Sequence, residues 1–466
     1  MQRILDIERK NQMKLTILGG GLSAITLAYF LQDNEQIEEI TILEKEDAIG
    51  GLCRSIKKDG YTYDIGPHIL FSKDKEMLEL MIDVVSKTNK LRRSNQIIHK
   101  GRYVQYPFEN DLSKLPKEDL EYCITAFQNN PYENYAAQNM LQFFLKTFGE
   151  GITNLYLRPY NEKIWKHDPS FMDTQMVERI PKPTNEEILR SAAGETVDGY
   201  VHQLYFDFPE TGGIEAVVKG FADRLKYKCR ILLNQEIQDI YRDGDVFFVK
   251  TEDAVYQSDK LVSTIPVQEL TCRYRGAAGC AGEKGGTGKA VEAEAAVGTY
   301  VKDLKYNSII IAFVKTKENL SGANFAFMIA DKQVLFHRIS KMDFLGEQYK
   351  TDGASYMVEV TFRQGDWIDN LPQPELEKKI LTGLKEIGFV EKEEDAGFVN
   401  ITKHKYAYVI YDLNHKSNMD KIREYYGGEG IYLHGRFGNF EYWNMDRILR
   451  ESKTLAEKIL GGGDGL

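Results

Sequence analysis

Cysteine is scarce in this sequence, and no two cysteines have the CxxC spacing. The five that occur are Cys53, Cys123, Cys229, Cys272 and Cys280. An odd, scattered set of thiols argues against a disulfide framework or a zinc site and favours reduced thiols in the cytosol. We therefore expect no metal site and a cytoplasmic location.

Long apolar runs and an excess of positive charge are also missing. The longest strongly apolar run, IIIAFV at 309–314, is far shorter than the roughly 20 residues of a membrane-spanning helix. The first residues, MQRILDIERKNQ, are charged and do not have the pattern of a signal peptide. A formal net charge of −10 argues against a nucleic-acid partner. With 42% hydrophobic residues, the composition is that of a globular chain with room for two or three domains.

One stretch, residues 14–51, carries most of the functional information: KLTILGGGLSAITLAYFLQDNEQIEEITILEKEDAIGG. It predicts a buried strand, a glycine turn, an amphipathic helix and a second strand. Gly19 permits the sharp turn, Gly21 lets a pyrophosphate approach the backbone, and Ala24 lets the helix pack on the strand. The helix N-terminus favours the negative charge of that pyrophosphate, and Glu44 is placed to accept from a ribose hydroxyl. The alternative is an ordinary βα turn.

Two further glycine-rich segments favour FAD over NAD. Gly50 and Gly51 form a second glycine pair just beyond the ribose carboxylate, as a larger cofactor requires. Near the end of the chain, EGIYLHGRFGNFEYWNMDRI predicts a strand, a glycine turn and a helix with Asn444 as its N-cap. The N-terminus of such a helix would stabilise the negative charge that develops near N1 and O2 of a reduced flavin.

Two other segments contain candidate site residues, and each has two readings. His68 follows the Gly66-Pro67 turn, where it is either a structural histidine or a catalytic one near the cofactor. The segment LRPYNEKIW, residues 157–165, concentrates charged and aromatic residues, as recognition of an anionic, ring-bearing ligand requires. The alternative for this segment is a solvated helix start with a core tryptophan.

The order of predicted elements indicates an α/β fold. We expect a Rossmann-type FAD-binding domain, an inserted helical domain and a second, mostly antiparallel sheet domain. The FAD-binding domain is discontinuous, with residues 12–75, 205–265 and 425–466. The helical domain takes residues 76–204 and the substrate-side sheet domain residues 266–424.

The Gly- and Ala-rich segment 275–298 resembles a phosphate-binding loop only superficially. The Walker A pattern requires glycine where this chain has Glu283, and serine or threonine where it has Ala290. We expect a flexible loop that runs into a short helix, with no chemistry assigned to it.

Taken together, these motifs resemble the FAD-dependent amine oxidase/protoporphyrinogen oxidase superfamily, and within it the UDP-galactopyranose mutase-like branch. The resemblance covers most of the chain. Its general part is GGGLSA, Glu44, GGLCRS, YDIGPH, FPETGGIEAV and HGRFGNFEYWNMDRI. Its branch-specific part is GPHIL, GRYVQYPF, LRPYNEKIW, and GRFG followed by Tyr442 and Asn444.

The resemblance implies three sets of site residues. The cofactor-binding set is Gly19, Gly21, Leu22, Ser23, Ala24, Glu44, Gly51, Leu52, Arg54, His68, Gly435, Arg436, Asn444 and Met445. The catalytic set is His68, Arg158, Tyr408 and Tyr442. The substrate-binding set is Tyr106, Arg158, Tyr160, Asn161, Trp165, Lys315 and Arg338.

For function, the resemblance implies reduced FAD acting as a nucleophile on a nucleotide sugar. Pyranose and furanose forms would interconvert without net redox change, in cell-surface polysaccharide or lipopolysaccharide biosynthesis. The mutases carry a second arginine for the diphosphate on the strand that matches residues 309–315, which has no arginine in this chain. Lys315 is the nearest cation there, and Arg338 in LFHRIS is another candidate. Lysine does not reproduce a bidentate arginine clamp, so a related substrate stays open.

Two alternative functions and the oligomeric state also stay open at this point. One alternative is an FAD-dependent oxidoreductase that acts on an amine, a porphyrinogen or a polyene. The other is a flavin-bound structural or regulatory protein without catalysis. A homodimer is compatible with either reading.

Overall fold

A computed structural model describes residues 12–177, 183–195, 197, 204–276 and 288–461. Its strands are β1 (Met13–Leu18), β2 (Ile37–Leu43), β3 (Ser55–Lys58), β4 (Tyr61–Asp64), β5 (Thr88–Arg92), β6 (Asn95–His99), β7 (Arg102–Gln105), β8 (Tyr205–Pro209), β9 (Cys229–Leu232), β10 (Asp239–Asp243), β11 (Val246–Lys250), β12 (Val255–Ser258), β13 (Lys260–Ser263), β14 (Lys305–Thr316), β15 (Ala326–Ile329), β16 (Arg338–Lys341), β17 (Ala354–Phe362), β18 (Ala396–Ile410) and β19 (Ile431–Leu433). Its helices are α1 (Leu22–Leu31), α2 (Lys75–Asp83), α3 (Lys117–Gln128), α4 (Met140–Ile152), α5 (Arg158–Trp165), α6 (Asn185–Ala192), α7 (Glu215–Ala222), α8 (Val267–Arg273), α9 (Gly288–Asp303), α10 (Gln373–Glu386), α11 (His415–Gly428), α12 (Gly435–Gly438) and α13 (Met445–Leu460).

A five-stranded parallel sheet, in the order β19-β13-β1-β2-β9, is assembled from distant parts of the chain. The short apolar run that ends before Pro266 predicts a strand suited to rejoin the first one. This prediction is confirmed, because β13 pairs with β1 along Leu15 to Leu18. Strands β1 and β2 are apolar and buried over most of their length, as parallel strands covered on both faces require.

Helices α1 and α13 pack against each other through a short buried polar chain. Thr26 and Ser452 lie 2.8 Å apart through their hydroxyl oxygens, and Nε2 of His434 lies 2.8 Å from the same Ser452 oxygen. Burial lowers the pKa of His434 to about 3, so this ring is neutral in the folded protein. The C-terminal helix is thereby fixed over the helix that follows the glycine turn.

The second sheet has seven strands in the order β18-β14-β17-β16-β15-β6-β7 and is antiparallel except for the β15–β6 pair. Strand β14 shows how it divides the interior. Ile310, Ala312 and Val314 join the core that includes the buried face of α10. The alternating residues Ile311 and Phe313 join a different core, together with Tyr63 of β4. One face of the sheet therefore packs against α10, and the other packs toward β4.

The fold class is confirmed: the chain mixes helices with a parallel and a mostly antiparallel sheet. Helical periodicity predicts one helix from Asn185 to Ala192, and α6 has these bounds. It predicts another from Tyr135 to Phe148. That helix begins five residues later, at Met140, because the Asn139 side chain accepts from the Gln142 N–H and caps it there. The predicted domain boundaries stay predictions.

The Gly- and Ala-rich segment falls partly outside the described residues, which omit 277–287. Its described part enters α9, which spans 16 residues and is longer than the short helix expected. Within the described ranges, no helix combines the length and hydropathy needed to cross a membrane.

Gly435 connects β19, an edge strand of the parallel sheet, to α12 and packs against the start of α1. Its φ of +80° lies in the left-handed region, and a Cβ added there would overlap Oγ of Ser23. The same turn brings Gly438 so close that an added Cβ would lie 2.6 Å from the Ser263 carbonyl oxygen. Only a glycine-rich turn lets these backbones approach.

We predict that Gly435→Ala destabilises the protein by about 2–4 kcal/mol, from backbone strain plus overlap with Ser23. Gly365→Ala is the matched control, because Gly365 has φ +79° and open space around an added Cβ. The control should lose only the strain, about 1–2 kcal/mol. Equal losses in urea unfolding of the two variants would contradict the close-packing explanation.

Candidate flavin and substrate site

The first glycine turn and its neighbours form a bare backbone cradle. The N–H of Gly20 donates to Oε2 of Glu44 at 2.6 Å, and the N–H of Gly50 donates to the Gly20 carbonyl at 2.9 Å. Gly51 lies against Gly21, whose Cα would be 3.4 Å from a Cβ added at Gly51. The two glycine segments thus meet edge to edge, with Glu44 buried beside them.

The start of α1 is built to receive an anion. The N–H groups of Ala24 and Ile25 donate to the Gly21 carbonyl, so the helix begins directly after the turn. Leu22, Ser23 and Ala24 are buried in this first turn. An early helix turn with aligned N–H groups favours a negatively charged ligand.

The other residues of the predicted cofactor set lie around this cradle. Leu52 packs against both neighbouring cores, and Arg54 forms a 3.2 Å ion pair with Asp47. Asn444 stands at the N-cap of α13 without a side-chain bond to the helix, while Met445 is buried. Their roles toward FAD stay predictions.

Arg436 ties the C-terminal turn to the second sheet. Its Nε and Nη2 donate to the Trp443 carbonyl at 3.0 and 2.8 Å, and Nη1 donates to the Ala407 carbonyl of β18 at 3.4 Å. Its guanidinium also lies over the Tyr442 ring, with 4.9 Å to the centroid. This arginine therefore joins the cofactor half to the predicted substrate residues.

His68 enters this region as a neutral, unpaired ring. Its Nδ1 is buried and has no hydrogen-bond partner in the described part of the chain. Burial, together with the positive charges of Arg436 and Arg338, lowers the pKa of His68 to about 4. A buried ring nitrogen without a partner is a feature that a bound ligand can satisfy.

The centre of the predicted substrate set is a buried ion pair. Arg338 of β16 donates from Nε and Nη2 to the two carboxylate oxygens of Glu359 on β17, at 2.5 and 2.7 Å. The Tyr408 hydroxyl of β18 lies 3.2 Å from Nη2 of Arg338 and 3.4 Å from Oε2 of Glu359. Burial alone would lower the pKa of Arg338, but the charge of Glu359 outweighs it and holds that pKa well above the ordinary value.

Aromatic rings surround this ion pair. Tyr408 and Tyr442 stack in parallel with 6.0 Å between centroids, and Trp165 stands edge-on to both at 5.7 and 5.9 Å. Asn161 fixes the tryptophan, because its Oδ1 accepts from Trp165 Nε1 at 2.8 Å. Helix α5 thereby presents a rigid indole to the cluster.

Tyr160 and Tyr106 complete the cluster on its helical side. Tyr160 stacks on Tyr156 at 5.2 Å, and burial raises its pKa while Arg338 lowers it. The pKa of Tyr106 is likewise raised by burial and lowered by Arg338. Both hydroxyls are therefore protonated, and both interact electrostatically with the Arg338 guanidinium.

Two predicted substrate residues have other partners. Arg158 donates to Glu162 at 2.8 Å and lies 4.0 Å from Asp168. Lys315 donates to the Tyr61 hydroxyl at 3.1 Å and lies over the same ring. Their predicted contacts with a diphosphate stay untested.

Sequence reasoning missed Glu359. The signal was present, because this glutamate is the one acidic residue in the apolar strand ASYMVEVTF. A fully buried carboxylate requires a cationic partner, and Arg338 is its direct cross-strand neighbour. Among the described residues, no group of three or more His, Cys, Asp or Glu side chains could hold a metal ion.

The family model for flavin containing amine oxidoreductases matches residues 21–411. The chain belongs to this family. The bare glycine cradle, the early turn of α1, the buried Glu44 and the unpaired Nδ1 of His68 fit FAD, and these are the residues that would hold it.

Solved structures share the fold over nearly the whole chain. A reduced UDP-galactopyranose mutase aligns with a TM-score of 0.86 and 22% identity, covering 97% of this chain and 94% of the other. A putative protoporphyrinogen oxidase from Exiguobacterium aligns at 0.72 with 17% identity, covering 96% and 98%. At these identities the likeness concerns the fold alone.

Similarity to curated sequences is confined to short segments. A coproporphyrinogen III oxidase of Staphylococcus aureus is 33% identical over 70 residues, which is 15% of either chain. The expected membership of the amine oxidase superfamily is thus confirmed by the family model, while the activity of any one relative is not transferred by such a short match.

We predict that Glu359→Gln lowers the free energy of unfolding by about 2–3 kcal/mol, because it leaves the Arg338 charge poorly compensated in the interior. Glu162→Gln is the matched control, since its partners Arg158 and Lys332 are 42% and 68% exposed, and it should cost about 0–1 kcal/mol. Urea unfolding measures both. A loss of under 1 kcal/mol for Glu359→Gln would show that the ion pair is not a structural centre.

Acid should destabilise the fold partly through His68. The pKa of His68 in the folded protein, about 4, lies below the ordinary 6.5. Between pH 6.5 and 4 the ring is therefore protonated in the unfolded chain and neutral in the folded protein. Stability therefore falls as pH drops through this window, by about 1.4 kcal/mol per pH unit for this group. Urea unfolding from pH 6.5 to 4 should show a shallower slope in His68→Asn. An unchanged slope would mean that His68 is protonated in the fold.

Proposed function

We propose that this chain is a FAD-dependent, mutase-like enzyme that interconverts the pyranose and furanose forms of a nucleotide sugar. The observation that carries the proposal is the Arg338–Glu359–Tyr408 cluster, walled by Trp165 and Tyr442 and joined to the flavin half through Arg436. The fold likeness to a reduced UDP-galactopyranose mutase supports it.

Arg338 is the proposed diphosphate anchor. Glu359 occupies its Nε and Nη2, which orients the guanidinium plane, while Nη1 has no hydrogen-bond partner within the described ranges. A held guanidinium with one free edge binds a phosphate oxygen without having to order a flexible side chain. Glu359 acts here as a positioning residue.

The aromatic rings would hold the sugar. Trp165, Tyr408 and Tyr442 offer apolar faces and edges that suit a hexose ring, and the Tyr408 hydroxyl can donate to a sugar or phosphate oxygen. Bound FAD in its reduced form would supply the electron pair for the anomeric carbon and recover it at the end of turnover. His68, neutral and beside Arg436, would accept or donate a hydrogen bond at the flavin without carrying charge.

Pathway, compartment and assembly follow from this reaction as further parts of the proposal. A furanose sugar nucleotide is a building block for cell-surface polysaccharide or lipopolysaccharide, and its synthesis needs a reduced flavin. The cysteines at 53, 123, 229 and 272 are free thiols, which suits the cytosol. A homodimer is compatible with these features.

The direct test is turnover of UDP-galactopyranose by the dithionite-reduced, FAD-loaded enzyme, with the furanose form separated by chromatography. We expect product with the reduced enzyme and almost none with the oxidised enzyme. Arg338→Lys should lower kcat/KM by about 100-fold, since one point charge replaces the oriented fork. Lys350→Ala, at an exposed lysine on a surface turn, is the control. Failure with a panel of UDP-hexoses would overturn the proposal.

A second candidate is an FAD-dependent oxidoreductase for an amine, a porphyrinogen or a polyene. The observation that favours it is Lys315, which is bonded to Tyr61 at the place where the mutases have an arginine for the diphosphate. Anaerobic mixing separates the two candidates. Lasting bleaching of oxidised flavin by an amine or porphyrinogen supports the oxidoreductase, whereas turnover of a nucleotide sugar without a change in flavin redox state supports the mutase.

A further inference from the structure

A cavity of about 750 Å³ lies apart from the Arg338–Glu359–Tyr408 cluster, which we call the flavin-side cluster. Helix α5 separates the two. Its Trp165 faces Tyr408 and Tyr442, whereas its Glu162 and the residue that follows it, Lys166, line the cavity. The opposite wall is α10, and the volume falls within the roughly 300–1,000 Å³ of small-molecule sites. We call this cavity the α5–α10 groove.

The groove carries an excess of positive charge. Five lysines and three glutamates line it. Glu162 is already neutralised by Lys332 at 2.8 Å and by Arg158, and Lys163 is occupied by the carbonyls of Ile329 and Asp331. Lys166, Lys378 and Lys379 form no ion pair with residues of the described ranges. Glu375 and Glu386 also line the groove, so one net positive charge remains for an anion.

Lys166 occupies a strained position. It ends α5 with φ 50° and ψ 34°, the left-handed conformation that glycine adopts without cost and lysine does not. Burial lowers its pKa although Asp366 opposes the shift. A left-handed residue is a common helix end, and the left-handed Lys166 is partly buried and without an ion pair in the described structure, so its ammonium group can serve a ligand.

Trp367 supplies an aromatic platform at the same groove. Its side chain is 60% exposed, which is unusual for so large an apolar group. Lys379 lies over its ring at 5.7 Å from the centroid, so the flat surface and the positive charge are adjacent. Buried Ile368 and Val334 form an apolar floor next to them.

We propose that the α5–α10 groove binds a nucleoside diphosphate, with the base on Trp367 and the phosphates on Lys166, Lys378 and Lys379. Three lysines without ion pairs in the described ranges attract the diphosphate more strongly than Glu375 and Glu386 repel it, and the exposed indole binds a base through the ring face that Lys379 does not cover. This site is independent of the proposed mutase function, because α5 lies between the groove and the flavin-side cluster.

The test is calorimetric titration of FAD-loaded protein with ADP, and separately with adenosine and inorganic pyrophosphate. We expect saturable ADP binding with a Kd of about 1 mM or tighter. Adenosine and pyrophosphate should each bind at least about tenfold more weakly, because each engages half of the groove. Binding should weaken further with added salt.

Variants locate the binding. Trp367→Ala, Lys166→Gly and the double variant Lys378→Ala/Lys379→Ala should each weaken ADP binding at least about tenfold. Lys166→Gly also relieves the backbone strain, so its melting temperature should not fall, which separates lost binding from lost folding. The double variant Lys317→Ala/Lys350→Ala, at exposed lysines paired elsewhere, should leave binding unchanged.

Three results would overturn the proposal: no saturable ADP binding at millimolar concentration, binding that survives the groove variants, or binding that Arg338→Lys abolishes. The last would place ADP in the flavin-side cluster instead. Since the mutase assay uses reduced enzyme and follows a sugar product, its failure leaves the ADP titration unaffected.

Discussion

The buried carboxylate of Glu359 determines how the second sheet contacts the part of the chain that forms the glycine cradle. Glu359 lies in the middle of a strand whose nine residues are all buried, where an unpaired charge would cost several kcal/mol. The order of the strands supplies the positively charged partner that Glu359 requires. Strand β16 places Arg338 directly across from it, and the β18–β14–β17 pairing brings Tyr408 to the same point. The aromatic rings then surround a charge pair in which Glu359 is fully buried and the Arg338 side chain is 25% exposed.

The flavin half depends on a different constraint, the close approach of backbones. Three glycine turns from opposite ends of the chain meet at the start of α1, at Gly20, Gly51 and Gly435. Side-chain atoms of Glu44 and Ser23 fill the places where a Cβ of Gly20 or Gly435 would lie, and the Gly21 backbone lies against Gly51. A turn without side chains of its own is the kind that a pyrophosphate can approach. Arg436, one residue after the last of these turns, reaches β18 and connects the two halves. Arg436 thus links the glycine cradle to the side chains around the Arg338–Glu359 pair.

Local patterns in the sequence were enough to predict the cradle. The strand, glycine turn, helix and second strand predicted over residues 14–51 are present as β1, α1 and β2. The motifs also named most of the residues that lie around the Arg338–Glu359 pair. They did not name Glu359, because a cross-strand partner is set by sheet register, which no local pattern encodes.

The same limit explains the other differences. Strand β18 spans Ala396–Ile410, but only its apolar end was predicted, since the polar, half-exposed beginning is defined by pairing with β14 at the sheet edge. The partners of Arg158 and Lys315 likewise depend on neighbours distant in sequence. Roles assigned to such side chains by motif need a ligand to test them.

The most direct measurement is a crystal structure of the dithionite-reduced, FAD-loaded protein soaked with UDP-galactopyranose. We expect the diphosphate within hydrogen-bond distance of Nη1 of Arg338, and the hexose between the Trp165–Tyr442 wall and the flavin. A well-ordered nucleotide sugar elsewhere, with Arg338 untouched, would contradict the assignment of this cluster as the substrate site.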